Sequence, residues 1–400
     1  MNGTEFRASV SLALVFSARL LGLFMIYPVF ATEAVRLRGA TPETIGLALG
    51  AYGLAQGLLQ IPLGLLSDRI GRKTVIVLGL ILFGFGSVVA ALATSIEGVL
   101  LGRVLQGAGA VGSTILALVA DLTREEVRTR AMALVGVTIG LSFAVAVVIG
   151  PPLAALVGLS GIFWTTMGLA LVGVAITLWV TPNPAGRSRA VAPHRLWRVL
   201  SDGELLRLDF AIFALHAVLT ASFLVLPQLL AAALHLPPGG EWELYLPVMA
   251  VSVALMVPAI VVAETRGRMK EVFLAAIVSI AASLAMLAGL RADAAIAIAA
   301  LTIFFTGFNA MEALLPSLIT KFAPADARGA ATGVYSSSQF LGIFVGGAAG
   351  GWLLEAGGGR AVLAAGVGMG LVWLLVAAGM RRPRASGAPG AQPVAGAPTT

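Results

Sequence analysis

The 400-residue chain has no cysteine, only three histidines and very little charge. Without cysteine there can be no disulfide, no thiolate metal site and no thiol nucleophile. Asp, Glu, Lys and Arg make up 11% of the residues, against about 25% in an average soluble domain. A soluble globule of this size would then lack the polar material to cover itself. That shortage excludes a soluble enzyme and a disordered protein. A net charge of +7 would suit nucleic acid only if the basic residues shared one folded face. They stand instead in short groups between long apolar runs, so no nucleic-acid partner is expected. The HExxH pattern of zinc proteases is absent as well.

What is present is hydrophobic: 58% of the residues, with a mean hydropathy of +0.97. A membrane-spanning helix needs about 20 mostly apolar residues. Such segments occur near 9–31, 44–66, 75–94, 98–120, 131–155, 161–181, 208–231, 244–263, 271–290, 294–319, 329–353 and 361–380. Val29-Phe30-Ala31 has the small residues of a cleavage site, but the apolar stretch before it is long for a signal peptide and is interrupted by Arg19. It reads as a retained first span. With the N-terminus in the cytoplasm, 20 of the 26 Lys and Arg fall inside, four (Arg36, Arg38, Arg291 and Arg360) fall outside, and Arg19 and Arg103 lie within spans. This distribution predicts cytoplasmic termini.

The expected division is a bundle of six spans over 1–181, a cytoplasmic linker over 182–207, a second bundle over 208–380 and a disordered, Pro- and Gly-rich tail over 381–400. Trp197 between Leu196 and Arg198 fits either an amphipathic helix on the inner membrane surface or a solvated loop. The halves echo each other. Gly71 and Gly267 sit in similar charged loops 196 residues apart, and Gly136, Phe143 and Gly150 recur 197 residues later as Gly333, Phe340 and Gly347. This pattern predicts a duplicated six-helix unit.

The segment Gly64-Leu65-Leu66-Ser67-Asp68-Arg69-Ile70-Gly71-Arg72-Lys73 resembles the loop between spans two and three of the major facilitator superfamily. Arg103-Val104-Leu105-Gln106-Gly107-Ala108-Gly109 resembles that family's span-four motif. Gly150-Pro151 resembles the span-five motif of its drug/proton antiporter branch, which usually continues with paired glycines where this chain has Pro152, Leu153, Ala154 and Ala155. The resemblance covers residues 1 to about 380. It implies an all-α membrane protein of twelve transmembrane helices in two pseudo-symmetric six-helix bundles, sited in the bacterial inner membrane and monomeric. It also implies alternating access with no cofactor, the proton gradient being the energy source.

The resemblance further assigns a conformational latch to Gly64, Asp68, Arg69, Gly71, Arg72 and Asp121. Asp68 would meet the N-terminus of span eleven near Gly329–Gly333, Arg72 would pair with Asp121, and Gly64 would let spans two and eleven approach closely. A carboxylate at a helix N-terminus is worth roughly 0.3–2 kcal/mol. These contacts need the cytoplasmic side closed, so they would favour an outward-open state. The Glu264–Lys270 loop is a degenerate copy. The plain alternative is that all are ordinary positive-inside loop charges.

Arg19, Arg103, His216 and Glu312 fall inside spans one, four, seven and ten, which line the cavity in the family fold. An intramembrane charge costs roughly 2.5–3.5 kcal/mol on insertion scales, so it is paired or functional. Phe305, Asn309 and Glu312 share one helical face, as do Arg103, Gln106 and Ala110. A carboxyl moved out of water holds its proton more tightly. Glu312 is therefore the leading proton-coupling candidate, the alternative being a packing carboxylate paired with Arg19 or His216. His216 is either a second proton carrier or a hydrogen-bonded structural group. Arg19 and Arg103 stay charged and would tune an acid or hold substrate. Gln56 and Gln60 on span two, and Tyr335 and Gln339 on span eleven, fit helix–helix hydrogen bonds or cavity lining. Phe24, Phe30, Phe223, Phe304, Phe305 and Phe308 would suit a lipophilic substrate.

Two further patterns are declined. Gly107-Ala108-Gly109-Ala110-Val111-Gly112 fits a dinucleotide fingerprint, but it lies mid-span rather than between a strand and a helix. Gly158-Leu159-Ser160-Gly161 fits intramembrane proteases, but its serine is in a loop and far in sequence from any span-borne histidine. The resulting expectation is proton-driven efflux of small amphipathic molecules. A metabolite or sugar exporter is the runner-up, and a membrane sensor that does not transport is the alternative of another class.

Overall fold

The computed structural model describes residues 1–183, 193–289, 293–324 and 327–382. The expected linker falls partly, and the tail beyond 382 wholly, outside the described residues. The elements are α1 (Gly3–Phe24), α2 (Tyr27–Glu33), α3 (Pro42–Ile70), α4 (Arg72–Leu92), α5 (Ile96–Ala108), α6 (Gly112–Asp121), α7 (Glu125–Ala175, continued by a π-helical turn at Ile176–Val180), α8 (Pro193–Leu200), α9 (Gly203–Phe223), α10 (Leu226–Leu234), α11 (Trp242–Thr265), α12 (Met269–Ala288), α13 (Ala294–Phe322) and α14 (Arg328–Ala378). Apart from one isolated bridge between Arg38 and Ser95, no strand pairing occurs among the described residues.

Among the described residues, ten helical stretches are long and apolar enough to cross a bilayer. Two of them, α7 and α14, have 51 residues each, about 75 Å of helix and far more than a bilayer's ~30 Å core. Each is broken once, α7 at Gly158 (φ 66°, ψ −176°) and α14 at Gly358 (φ 70°, ψ −175°). Only glycine adopts that backbone without strain. Each long helix is thus two spans joined by a one-glycine reversal, which brings the total to twelve. The two breaks share one geometry and lie 200 residues apart, an echo between the halves that the sequence motifs did not include.

Three spans expected to be continuous are interrupted. Span one breaks at Met25–Ile26, just before Pro28, and span seven at Leu224–Val225, just before Pro227. A proline ring clashes with the preceding turn and lacks the amide proton that a helix needs. Span four breaks at Gly109–Val111. A side chain added at Gly109 would come within 2.3 Å of the Gly79 carbonyl on α4, so these glycines serve close helix contact.

Helix starts follow local chemistry. Asn2 and Glu5 form a reciprocal cap on α1. Thr41 caps α3 just before Pro42, and Asp202 and Asp293 cap α9 and α13. Burial runs opposite to a soluble protein. Leu156, Trp179 and Leu375 are exposed on the outside, whereas Arg19, Gln56, Arg103, Gln106 and His216 are buried. α8 supplies a helix at the end of the linker, with Trp197 exposed and Val199 buried.

The two halves meet chiefly where α3 packs on the first part of α14. A Cβ at Gly46 would lie 2.3 Å from the Gly347 carbonyl, and one at Gly347 would lie 2.5 Å from the Gly46 carbonyl. The backbones touch, so any side chain there would have to push the halves apart. The end of the molecule bearing the α3–α4 turn and the α7 start is called the basic end below. The end bearing Gly158 and Gly358 is the opposite end.

Candidate functional site

The first six spans bury a positive cluster. Arg19 on α1 donates through Nη2 to the Tyr52 hydroxyl and to the Gln56 carbonyl oxygen on α3. Arg103 on α5 donates to Gln106 Oε1 (2.9 Å) and to the Leu49 carbonyl (3.3 Å), and its guanidinium stacks 4.9 Å from the Tyr52 ring centre. Gln106 donates in turn to Ser87 Oγ at 2.8 Å. Arg19 and Arg103 are 1% and 0% exposed, and the Nε of each is without a hydrogen-bond partner. Both cations therefore press on one tyrosine, with no carboxylate within ion-pair distance of either among the described residues. The sequence allowed Arg19 to pair with Glu312; the structure places Arg19 against α3 instead. It also encloses Arg103 and Gln106 among helices, where an open cavity lining was one expectation.

The last six spans bury an acid. The Nε2 of His216 (α9) lies 3.6 Å from Oε1 of Glu312 (α13), and the Glu312 side chain is 21% exposed. Gln339 Nε2 lies 2.8 Å from the same imidazole nitrogen, while Nδ1 faces the Ile212 carbonyl at 3.2 Å. A neutral imidazole protonated on Nδ1 satisfies both contacts, donating to Ile212 and accepting from Gln339. Glu312 Oε1 is then buried with no hydrogen-bond partner. Asn309, expected beside Glu312, turns away to donate to Ser252 Oγ on α11 at 3.1 Å. Tyr335 is buried on α14.

Between these clusters lies a seam of aromatic rings. Phe143 packs against Phe24 (5.1 Å between ring centres) on its own side and against Phe305 (6.1 Å) and Phe308 (5.2 Å) across the seam. Tyr27 meets Phe223 edge-on at 5.6 Å, and Phe308 also touches His216 at 6.0 Å. Hydrogen bonds reinforce this level and the opposite end. Tyr27 Oη and Thr220 Oγ1 are 3.3 Å apart, Gln228 donates to the Ala31 carbonyl at 3.3 Å, and the Glu43 amide donates to Glu355 Oε2 at 3.1 Å. Gly150 belongs to the same region: a Cβ there would come within 2.7 Å of the Met25 carbonyl, so Gly150 and the buried Pro151 seat α7 against the break in span one.

At the basic end Arg72 binds Asp68 Oδ1 (2.6 Å), Asp121 Oδ2 (2.9 Å) and Ser67 Oγ (2.8 Å). Gly71 makes the turn with φ 103°, and Arg69 is exposed. The remaining latch contacts are not made in this conformation. Gly64 faces Ser113 of α6 at 3.3 Å rather than α14, and a Cβ at Gly329 would meet nothing within 4 Å. A Cβ at Gly333 would still lie 3.9 Å from Ile61 Cγ1, so spans two and eleven part between that level and Asp68. In the degenerate copy, Glu264 pairs with Lys321 at 3.3 Å. Lys321 lies 200 residues after Asp121, whereas Glu264 lies 196 after Asp68 rather than Arg72, so the copy ties the same two helix ends together through a different pair of positions. Sequence reasoning missed Glu355, Asp209 on α9 and the Glu5–Arg124 pair (2.7 Å). Glu5 had a signal, since an acid three residues after Asn marks a cap.

Comparison with known proteins agrees with this architecture. The family model described as Major Facilitator Superfamily matches residues 12–346 and 208–400. The chain is 44% identical over 387 residues to the inner membrane transport protein YajR of Escherichia coli (strain K12), covering 96% of this chain and 85% of that protein. It is 26% identical to the multidrug resistance protein MdtH of Edwardsiella ictaluri, over 84% of each. Among solved structures, a bacterial homologue of the human lysosomal transporter Spinster, in an inward-facing and occupied conformation, superposes with a TM-score of 0.73 at 16% identity, covering 94% of this chain and 97% of that one.

Proposed function

Because the chain belongs to the major facilitator superfamily and is a multi-pass membrane transporter rather than an enzyme, we propose that it exports small amphipathic compounds in exchange for protons. We place it in the bacterial inner membrane with the basic end, and so both termini, in the cytoplasm. The division into 1–181 and 208–380, acting as a monomer, follows the two bundles.

The observation that carries this reading is Glu312. It is a carboxyl at the bundle interface, next to a histidine whose hydrogen bonds fit the neutral form and without a neutralising cation among the described residues. A bare carboxylate there is costly, and a protonated one is not. Proton binding therefore changes the free energy of moving the site from one side of the membrane to the other. His216 extends the site. If Nε2 takes a proton, Gln339 must turn its amide and the 3.6 Å contact to Glu312 becomes an ion pair. The aromatic seam supplies the apolar surface for an amphipathic ligand.

Alternating access follows from the two ends of spans two and eleven. Backbone contact and the Glu355 hydrogen bond close the opposite end here, while the Asp68 side of the latch is unmade, which supports an inward-facing conformer. In the other state Gly64, Asp68, Arg69, Gly71, Arg72 and Asp121 would close the basic end. Export of a specific metabolite is a second reading. It is favoured by Arg19 and Arg103, whose unpartnered Nε groups could serve an anionic substituent.

Reconstitution into vesicles with a compound screen tests the assignment. Antiport predicts a substrate-evoked pH change. Glu312→Gln should abolish that change while leaving substrate binding measurable. Undiminished proton coupling in this variant would remove Glu312 from the mechanism.

A further inference from the structure

A second acid is buried in the C-terminal half. Asp209 on α9 is 5% exposed, and neither carboxyl oxygen has a hydrogen-bond partner. It stands seven residues before His216, two turns nearer the basic end on the same helix face, or about 10 Å along the axis. α9 runs in register with the first part of α14: Cβ atoms at Gly342 and Gly346 would collide with the carbonyls of Phe213 and Ala217 at 2.3 and 2.2 Å. One turn back, this register sets Asp209 level with Ser338, close to Tyr335 and Gln339. Tyr335 interacts electrostatically with both Glu312 and Asp209. The titratable groups on the side of Asp209 toward the opposite end are thus Tyr335 on α14 and then, about two turns further along, His216 on α9 itself and Glu312 on α13. Arg198 lies on α8. Arg207, two residues away, is held by Glu204 at 2.5 Å, and Arg381 also approaches Glu204 at 3.8 Å.

An unpaired carboxylate so enclosed is among the costliest groups a membrane protein can hold, and a proton removes most of that cost. We propose that Asp209 is a second proton-binding site, on the basic-end side of Glu312. Binding is balanced: one O–H bond forms on the Asp209 carboxylate with a proton taken from water, and the carboxylate's negative charge is neutralised. The direction of release to the cytoplasm rests on the orientation proposed above; the proton site does not.

The test is pH-difference infrared spectroscopy on the full chain in lipid nanodiscs, with no substrate present. Asp209→Asn should remove one protonated-carboxyl band, that of a carboxyl out of contact with water. Glu312→Gln should remove the other. Asp209→Glu keeps the acid and should retain a shifted band, which separates proton binding from mere fold damage. A carboxyl spectrum unchanged by Asp209→Asn would overturn the proposal, as would loss of the band in Asp209→Glu with the fold intact. In vesicles, Asp209→Asn should slow substrate-evoked proton movement at least about tenfold. A wild-type chain that shows the Asp209 band but no substrate-evoked pH change retains this site and sinks the antiport reading instead.

Discussion

The two ends of the α3–α14 pair are built differently. At the opposite end, glycine meets glycine, the backbones touch, and the Glu355 carboxylate accepts a hydrogen bond from the start of α3. At the basic end the pair diverges, and Asp68 and Arg72 are occupied within their own bundle. Each end nonetheless has a carboxylate on one span suited to the N-terminus of the other: Glu355 for span two and Asp68 for span eleven. The difference teaches that closure at the opposite end is a packing event sealed by a hydrogen bond. In the proposed latch, closure at the basic end depends far more on charge. Changes to side-chain volume should therefore act mainly at one end, and changes to charge at both.

The largest effect should come from volume. Gly347→Leu places a side chain where a Cβ alone would already collide at 2.5 Å. Overpacking of about 1–3 kcal/mol against the closed opposite end should shift the population toward the basic-end-closed state by about 5- to 150-fold. Spin-label distances between the outer ends of spans two and eleven would show it; unchanged distances would mean that the glycine contact does not set the closed state. Next comes Asp68→Asn. Among the described residues Asp68 pairs only with Arg72 of its own bundle here, so the contact to α14 that its removal forfeits belongs to the proposed basic-end-closed state. The basic-end-open population should rise by about 2- to 30-fold, the equivalent of the 0.3–2 kcal/mol for a carboxylate at a helix N-terminus. Glu355→Gln should move the same distances in the reverse sense and by less, because its site is exposed and screened. The double variant should return close to the wild-type distribution, since distant sites add. A double variant that matches either single change would show that the two ends are not opposed.

Much of this was legible in the sequence, for identifiable reasons. Hydropathy registers composition over about 20 residues, so the twelve spans and their punctuation by Lys and Arg could be read directly. The Arg72–Asp121 contact could be anticipated because that loop follows a family motif. Composition is blind to backbone breaks inside a span. The interruptions near residues 25, 110 and 225 were signalled only by Pro28, by Pro227 and by a glycine run that read simply as close packing. Asp209 sits one residue inside the expected boundary at 208, where a charge passes for a flanking group that reaches out to water. Only the three-dimensional packing of α14 over α9 reveals that it is enclosed. Asn309 was misplaced because helical spacing gives a face but not the neighbour that claims it, here Ser252.

The buried guanidiniums of Arg19 and Arg103 carry a consequence for energetics. Their charge is permanent, whereas that of Glu312 depends on its proton. An electrical potential across the bilayer acts on such groups with about 2.3 kcal/mol per elementary charge for each 100 mV traversed. Voltage thus pulls on the N-terminal bundle throughout the cycle, but on Glu312 in the other bundle only while that acid is ionised. On the proton-coupling reading, the electric part of the gradient therefore acts on both halves, at all times on the first and only with Glu312 ionised on the second.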